Sequence, residues 1–391
     1  MNEAHDVIII GAGSVGVPAA LALAREGVDV LVLDSAASPG QGAHKAAIGG
    51  VRATHSDPAK IRLCLRSLEI FHTWEAIWGH NIEWTQGGYS FVAYGEEQRK
   101  ILQALLKIQH RYGLKIEWVE RDALLDIIPD LNPEGLLGGT YSPDDGHCST
   151  LLAGHAFYRE AARAGATFHF GETVGGVTVE RGCVTGVTTQ RQSYSAPVII
   201  NAAGAQARQI DRCVAAASSI SFDHPVSSES HEAGITEPVH YFLRPLIVDI
   251  RPQPGSSNCY FFQLASGQVI FCLTPDPPVP GFDCRETSSF LPLVARRMID
   301  LVPKLTNLRV RRTWRGLYPM TPDGAPLVGW AGSIGGYLVA IGMCGQGFML
   351  GPGLGELLAR MVTQSSLSAE DQEILAHLAP DRQFRRQEAL K

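Results

Sequence analysis

The apolar positions of this chain fall into short runs punctuated by glycine, proline and polar turns. Val7–Ile10 is apolar at every position, the pattern of a strand buried on both faces. The Ala/Leu-rich stretch Ser14–Glu26, followed by Gly27, predicts a helix with a glycine C-cap. Val28–Leu33 predicts a second buried strand that ends at Asp34, completing a βαβ unit. Residues 57–78 read as a helix capped by Ser56 or Asp57, with Pro58 in the first turn. Short alternating strands around Trp84 and Phe91, a helix near 96–111 and turns at Asn132-Pro133 and Gly138-Gly139 follow. A helix at 150–164 leads to strands at 166–170, 174–180, 183–189 and Val198–Asn201. The stretch 216–316 reads mostly as strand, with a Pro/Gly/Ser-rich segment at Arg251–Asn258 and one helix at 285–302. Strands near 325–329 and 337–341 precede Gly345–Gly353, which is too glycine-rich to predict a helix; a helix is expected only from Leu354. The order predicts an α/β chain. A Rossmann-like nucleotide domain comes from 1–80, 143–215 and 317–391, and an antiparallel β-sheet domain (α+β) inserted as 81–142 and 216–316 provides for the substrate.

Composition narrows the classes. The 391 residues carry 33 basic and 39 acidic side chains, net charge −6, with no basic run, which argues against a nucleic-acid partner. No stretch approaches the roughly eighteen uninterrupted apolar residues of a membrane span. Met1–Asp6 has neither the basic nor the apolar region of a signal peptide. The eight cysteines are scattered, with no C-x-x-C pair, so they read as reduced thiols of a cytoplasmic protein, and no metal site is expected.

Gly11-Ala12-Gly13-Ser14-Val15-Gly16 lies between a predicted strand and a predicted helix, with Asp34 at the end of the next strand. The first glycine permits the tight turn, the second lets the backbone approach a pyrophosphate, and the third lets helix and strand pack closely. The helix N-terminus offers N–H groups to phosphate, and Asp34 is placed for a ribose diol. This much leaves NAD and FAD equally open.

The far end of the chain distinguishes them by resemblance. Trp314-Arg315-Gly316-Leu317-Tyr318-Pro319-Met320-Thr321-Pro322-Asp323 is followed by Gly342-Met343-Cys344-Gly345-Gln346-Gly347-Phe348-Met349. With the N-terminal glycines, this resembles the D-amino-acid-oxidase-like superfamily of FAD amine oxidoreductases. Its pattern is most similar to the β-subunits of hetero-oligomeric sarcosine oxidases and dye-linked proline dehydrogenases. The resemblance implies FAD held by Gly11, Gly13, Ser14, Val15, Gly16 and Asp34. It adds the loop positions Gly42, Ala43, His44, Lys45, Gly49 and Gly50, the middle segments at Val174, Ala203 and Gly204, and the late positions Gly316, Gly345, Gln346, Gly347, Phe348 and Met349. Monomeric sarcosine oxidases carry a flavin-linked Cys where Gly316 stands, so FAD is expected to be non-covalent. They also carry a Lys at Met349 and a His at Gln346, which weakens sarcosine as the substrate. The Arg-Pro pair of many D-amino-acid-type members is Tyr318-Pro319 here.

The implied chemistry is oxidation of an amino acid or secondary amine to the imine by hydride transfer to flavin N5, which asks the protein mainly for positioning. Arg52 is the candidate carboxylate anchor. Tyr318 is a candidate substrate-site hydroxyl. In Tyr260-Phe261-Phe262-Gln263, alternation puts Phe261 and Gln263 on one face and Tyr260 and Phe262 on the other, and the first pair is taken as the one facing the flavin. His231, His240 and Arg244 are outside candidates. The strand Gln268–Cys272 lacks the lysine with which the oxidase branch assists O2, and no lysine occurs between Lys115 and Lys304, so a dehydrogenase is expected, its electrons leaving to another cofactor, a partner subunit or a quinone. The alternatives are a D-amino-acid dehydrogenase or glycine oxidase, and a non-catalytic flavoprotein that relays electrons.

Overall fold

In the computed structural model, residues 3–218, 220, 223–385 and 387–390 are described. Val7–Ile10 lies in the middle of a six-stranded sheet. The strand order is Leu327–Trp330, Tyr337–Ile341, Val198–Asn201, Val7–Ile10, Val30–Asp34, Thr167–Phe170. Every neighbour pairs in parallel except Leu327–Trp330 with Tyr337–Ile341. The apolar run is buried on both faces because consecutive side chains go opposite ways. Val7 and Ile9 pack with helices Gly16–Arg25, Pro58–Trp78, Thr150–Arg163 and Gly347–Thr363. Ile8 and Ile10 pack with helix Ala207–Ser218 and a four-stranded sheet containing Val174–Glu180 and Cys183–Thr189.

The second large sheet has eight strands, ordered Val310–Met320, Ser227–Thr236, Val269–Asp276, Gly255–Gln263, Leu246–Asp249, Tyr89–Ala93, Gly138–Ser142, Glu117–Glu120. It is antiparallel apart from one parallel pairing, Leu246–Asp249 with Tyr89–Ala93. Helix Phe290–Leu301 covers one face through Phe290, Val294 and Met298. The chain is thus a mixed α/β structure with a Rossmann-like sheet and a separate β-rich layer.

Several expectations are corrected. Gly347–Phe348 and the glycines after them are helical: one helix runs Gly347–Thr363. Its glycines are there for contact, not for turning. A Cβ on Gly351 would stand 1.8 Å from the Ser14 carbonyl oxygen, one on Gly353 2.3 Å from the Leu63 oxygen, and one on Gly355 2.7 Å from the Pro18 carbonyl carbon. Packing against two helices outweighs the weak helix propensity of glycine. The helix expected at 285–302 is confined to Phe290–Leu301. Trp84 lies outside regular strand, and its neighbour Thr85 makes only a single bridge to His147. Val310–Met320 runs through the expected 316/317 boundary as one continuous strand of the eight-stranded sheet.

Candidate active site

The glycine turn and the last long helix meet. Gly11 has φ 110°, open to glycine alone, and a Cβ there would come 2.4 Å from the Ala202 oxygen, so the Val198–Asn201 strand end forms the floor of the turn. Gly16 packs against Gly11's carbonyl. Asp34 accepts from Ala12 N at 2.7 Å and Ala36 N at 2.8 Å, so its carboxylate holds the turn at the strand edge. The N-termini of helices Gly16–Arg25 and Gly347–Thr363 lie beside the turn, each with N–H groups that have no intrahelical partner.

His44 braces this arrangement. Its Nε2 donates to Thr150 O at 2.8 Å, which leaves Nδ1 to accept from Ser14 Oγ at 2.8 Å. Burial lowers its pKa, opposed by the Thr150 carbonyl, so the ring is neutral. Lys45 is exposed and donates to Gln41. Gly42 and Ala43 are exposed on the same loop, whereas Gly49 and Gly50 are buried. Gly316 approaches this loop so closely that a Cβ would lie 2.5 Å from that of Ala46. Val174 begins a strand of the four-stranded sheet on the opposite side of the parallel sheet from His44. Ala203 N is held by the Asn201 side chain, at 3.2 Å.

Two observations leave room for a flavin dinucleotide at some of these positions. A Cβ at Gly13, Gly42 or Gly204 would meet nothing within 4 Å, so these three glycines face open space. The Gln346 Oε1, buried at the cap of the last long helix, has no partner among the described residues, an arrangement that costs free energy unless a ligand meets it.

A second cluster forms where the two sheets' layers join. The hydroxyls of Tyr260 and Tyr318 are 2.9 Å apart. His231 stacks on Tyr318 at 3.8 Å, and a Cβ on Gly345 would come 2.0 Å from the ring, so Tyr318 is clamped from both sides. Burial pushes both tyrosine hydroxyls far above their ordinary range, so they are fixed as protonated donors. Arg52 is 5 % exposed, and its guanidinium lies 5.3 Å from the Phe91 ring centre and 5.9 Å from that of Tyr89. It donates to Thr54 O and, at 2.7 Å, to Leu390 O. Behind it, buried Asp145 accepts from Ala53 N and Thr54 Oγ1; burial pushes its pKa up to about 6 against these hydrogen bonds.

Phe261 and Gln263 belong elsewhere. Both point toward helix Phe290–Leu301, and the Gln263 amide is spent on Phe242 N, Leu243 N, His240 O and Gly267 O. The alternation is as expected, but the other pair, Tyr260 and Phe262, faces the junction. Both faces of the strand are buried, so periodicity had no means of choosing between them. Sequence reasoning also passed over Tyr89, Asp145 and His147. His147 packs at a tilt against Phe262, ring centres 4.4 Å apart, is 2 % exposed, and has no hydrogen-bond partner for either ring nitrogen among the described residues. Burial lowers its pKa to about 4. The Asp-Gly-His order at 145–147 was the available signal.

Comparison with known proteins bears on this geometry. The family described as FAD dependent oxidoreductase (DAO) matches residues 6–361. The chain is 26% identical over 370 residues to glycine oxidase of Geobacillus kaustophilus, covering 93% of this chain and 94% of that one. It is 24% identical over 420 residues to hydrogen cyanide synthase subunit HcnC of Pseudomonas aeruginosa, covering 96% of each. Among solved structures, L-proline dehydrogenase from P. horikoshii superposes with TM-score 0.89 at 27% identity, over 98% of both chains.

Proposed function

The chain belongs to the DAO family of FAD-dependent oxidoreductases, and from that premise we propose that it oxidises the C–N bond of an amino acid to the imine. The substrate class we propose is a secondary amine, an N-methyl or proline-like amino acid, and the enzyme a dehydrogenase. FAD, when bound, supplies the oxidising equivalent by taking up hydride. The protein's own part is to bind and orient. Arg52 offers a guanidinium whose paired N–H groups match a carboxylate. The Tyr260–Tyr318 pair keeps its protons at ordinary pH; one hydroxyl donates to the other, and the second O–H of the pair is left to donate to the substrate's polar end. Tyr89, Phe91 and Phe262 supply the apolar wall for a hydrocarbon ring or methyl group. Ala12, Gly13 and Ser14, with the N-termini of helices Gly16–Arg25 and Gly347–Thr363, would hold the dinucleotide, and Gly316 offers no nucleophile for a covalent link.

The observation that carries this reading is the buried Arg52 beside the aromatic junction. The dehydrogenase assignment is supported by the absence of lysine from Val269–Asp276 and by likeness to a proline dehydrogenase. An acceptor on a partner subunit is supported by relatives named as subunits. A reducing, cytoplasmic compartment is supported by eight unpaired cysteines, and no helix among the described residues is long and apolar enough to cross a membrane. The test is anaerobic bleaching of the flavin-loaded protein by proline, sarcosine, glycine and D-amino acids. Bleaching by secondary amines first is the expected result. A flavin that no amino acid bleaches, but a partner protein reduces, would replace this reading with that of a relay subunit.

A further inference from the structure

The segment after helix Ala369–Leu378 returns across the molecule and ends its described course inside the junction just assigned to substrate. Three attachments hold it. Arg382 forks onto Asp323, at 2.8 and 2.9 Å. Glu388 is buried, paired with Lys60 Nζ at 2.9 Å, and accepts from Ser56 N and Oγ at 2.9 and 2.7 Å, while its own N–H donates to Asp323 O. Leu390 is 1 % exposed and packs with Tyr89, Phe91, Leu246 and Phe262, and its carbonyl takes the Nη2 of Arg52.

The first two attachments are to the layer that carries the glycine turn, and the third is to the eight-stranded sheet. The segment is therefore a strap across the join. Its attachments also differ in kind. Glu388 is a charged group whose carboxyl, despite burial, is held well below its ordinary range by Lys60 and His55. Leu390 brings a neutral carbonyl to a guanidinium. A carboxylate binds the same guanidinium through charge-assisted and commonly bidentate hydrogen bonds, roughly twice as strong as those to a neutral acceptor. Nη2 carries one N–H on each of the two-donor edges that an arginine presents, and Leu390 O takes one of them, so a carboxylate that forks onto that edge contends with Leu390.

We propose that Leu390 is an internal stand-in for the substrate on Arg52, its carbonyl in the place of the substrate's carboxylate and its side chain in the place of the hydrocarbon, and that the strap yields there while Glu388 stays anchored. This rests on the reading of Arg52 as the carboxylate anchor. Leu390 then sets a threshold for entry. A ligand has to supply both a carboxylate and enough apolar surface to replace the leucine, which favours a compact hydrophobic amino acid over glycine.

The experiment is a titration of the flavin-loaded protein with acetate, followed by the visible absorbance of the flavin. Leu390→Gly removes the apolar hold and is expected to tighten acetate binding at least fivefold. Equal or weaker binding would overturn the proposal and make Leu390 a fixed wall. In the unmodified protein, saturating acetate is expected to speed amide hydrogen exchange at Ala389 and Leu390 and leave that of Glu388, held by Asp323 O, unchanged. Unaltered exchange at Ala389 and Leu390 would overturn it independently. Arg52→Gln is expected to abolish the acetate effect in both backgrounds; if it does not, Arg52 is not the anchor and the proposal falls with it. A wrong assignment of the reaction shows differently, as a flavin that no amino acid reduces although acetate still titrates and still releases the strap.

Discussion

Substituting Gly351 and Gly13 by alanine separates the two uses of glycine around the phosphate turn. At Gly351 the new methyl would lie 1.8 Å from the Ser14 carbonyl oxygen, where real Cβ contacts under 3.0 Å are essentially unknown. The neighbour is backbone and cannot rotate away, so the helix or the turn yields by roughly 1 Å, disturbing the matching contacts at Gly353 and Gly355. Overpacking of this kind costs about 1–3 kcal/mol, and the rigid partner places it at about 3. Alanine returns about 1 kcal/mol through helix propensity. The net loss of about 2 kcal/mol lowers the melting temperature of the FAD-free protein by several degrees. If the displaced turn passes the same loss to the cofactor, FAD affinity falls about 30-fold. At Gly13 the methyl meets no protein atom within 4 Å. The FAD-free protein should melt within about 1 °C of the parent, while FAD affinity still falls at least about tenfold, because the methyl occupies space a pyrophosphate needs. Thermal melts of stripped protein and fluorescence titration with FAD measure both. Gly13→Ala that binds FAD like the parent, or Gly351→Ala that melts like it, would refute the reasoning.

Three further predictions concern hydrogen-bonded side chains. Gln263→Ala strips the acceptor from Phe242 and Leu243 N–H, costing about 1–3 kcal/mol for each buried donor left bare, with no change in the flavin reduction rate of the folded protein. Tyr318→Phe should do the reverse, costing about 1 kcal/mol for one hydroxyl contact in a urea melt and slowing reduction in stopped flow. Asp145 has its folded pKa raised to about 6 from 3.8 by burial, so its contribution favours the folded state at low pH and is lost as pH rises through about 6. Asp145→Asn should flatten the fall in urea midpoint between about pH 4 and 6.5; an unchanged slope would show that the carboxyl does not titrate there.

The βαβ unit was legible because three independent signals coincide: the apolar run Val7–Ile10, the spacing of Gly11, Gly13 and Gly16, and the acid at Asp34. The late glycines were misread because propensity is a local quantity, whereas the need for Gly351 and Gly355 arises from Ser14 and Pro18, more than three hundred residues away. Tyr318 was singled out through its motif, and it lies at the junction. Phe261 and Gln263 were preferred to Tyr260 and Phe262 because nothing in the pattern distinguishes two faces that are both covered, one by helix Phe290–Leu301 and one by the junction. Arg52 was singled out, but its bond to Leu390 was beyond the reach of periodicity, since no pattern ties a loop at 52 to a carbonyl at 390. His147 likewise declares itself only when both ring nitrogens are seen to lack partners among the described residues.

The six-stranded sheet takes strands from residues 7–34, 167–201 and 327–341, and the helix that seals the Ser14 turn comes later still, at Gly347–Thr363. A ribosome that has released the first three hundred residues has therefore exposed a nucleotide-binding turn that is still missing one wall. Folding of this layer waits until residues 327–363 have emerged, and the slot beside the turn has both its walls only then. A dinucleotide that binds only the folded layer would stabilise it by mass action, so the protein without its cofactor is left with an unfilled slot between helices Gly16–Arg25 and Gly347–Thr363 and a correspondingly lower stability.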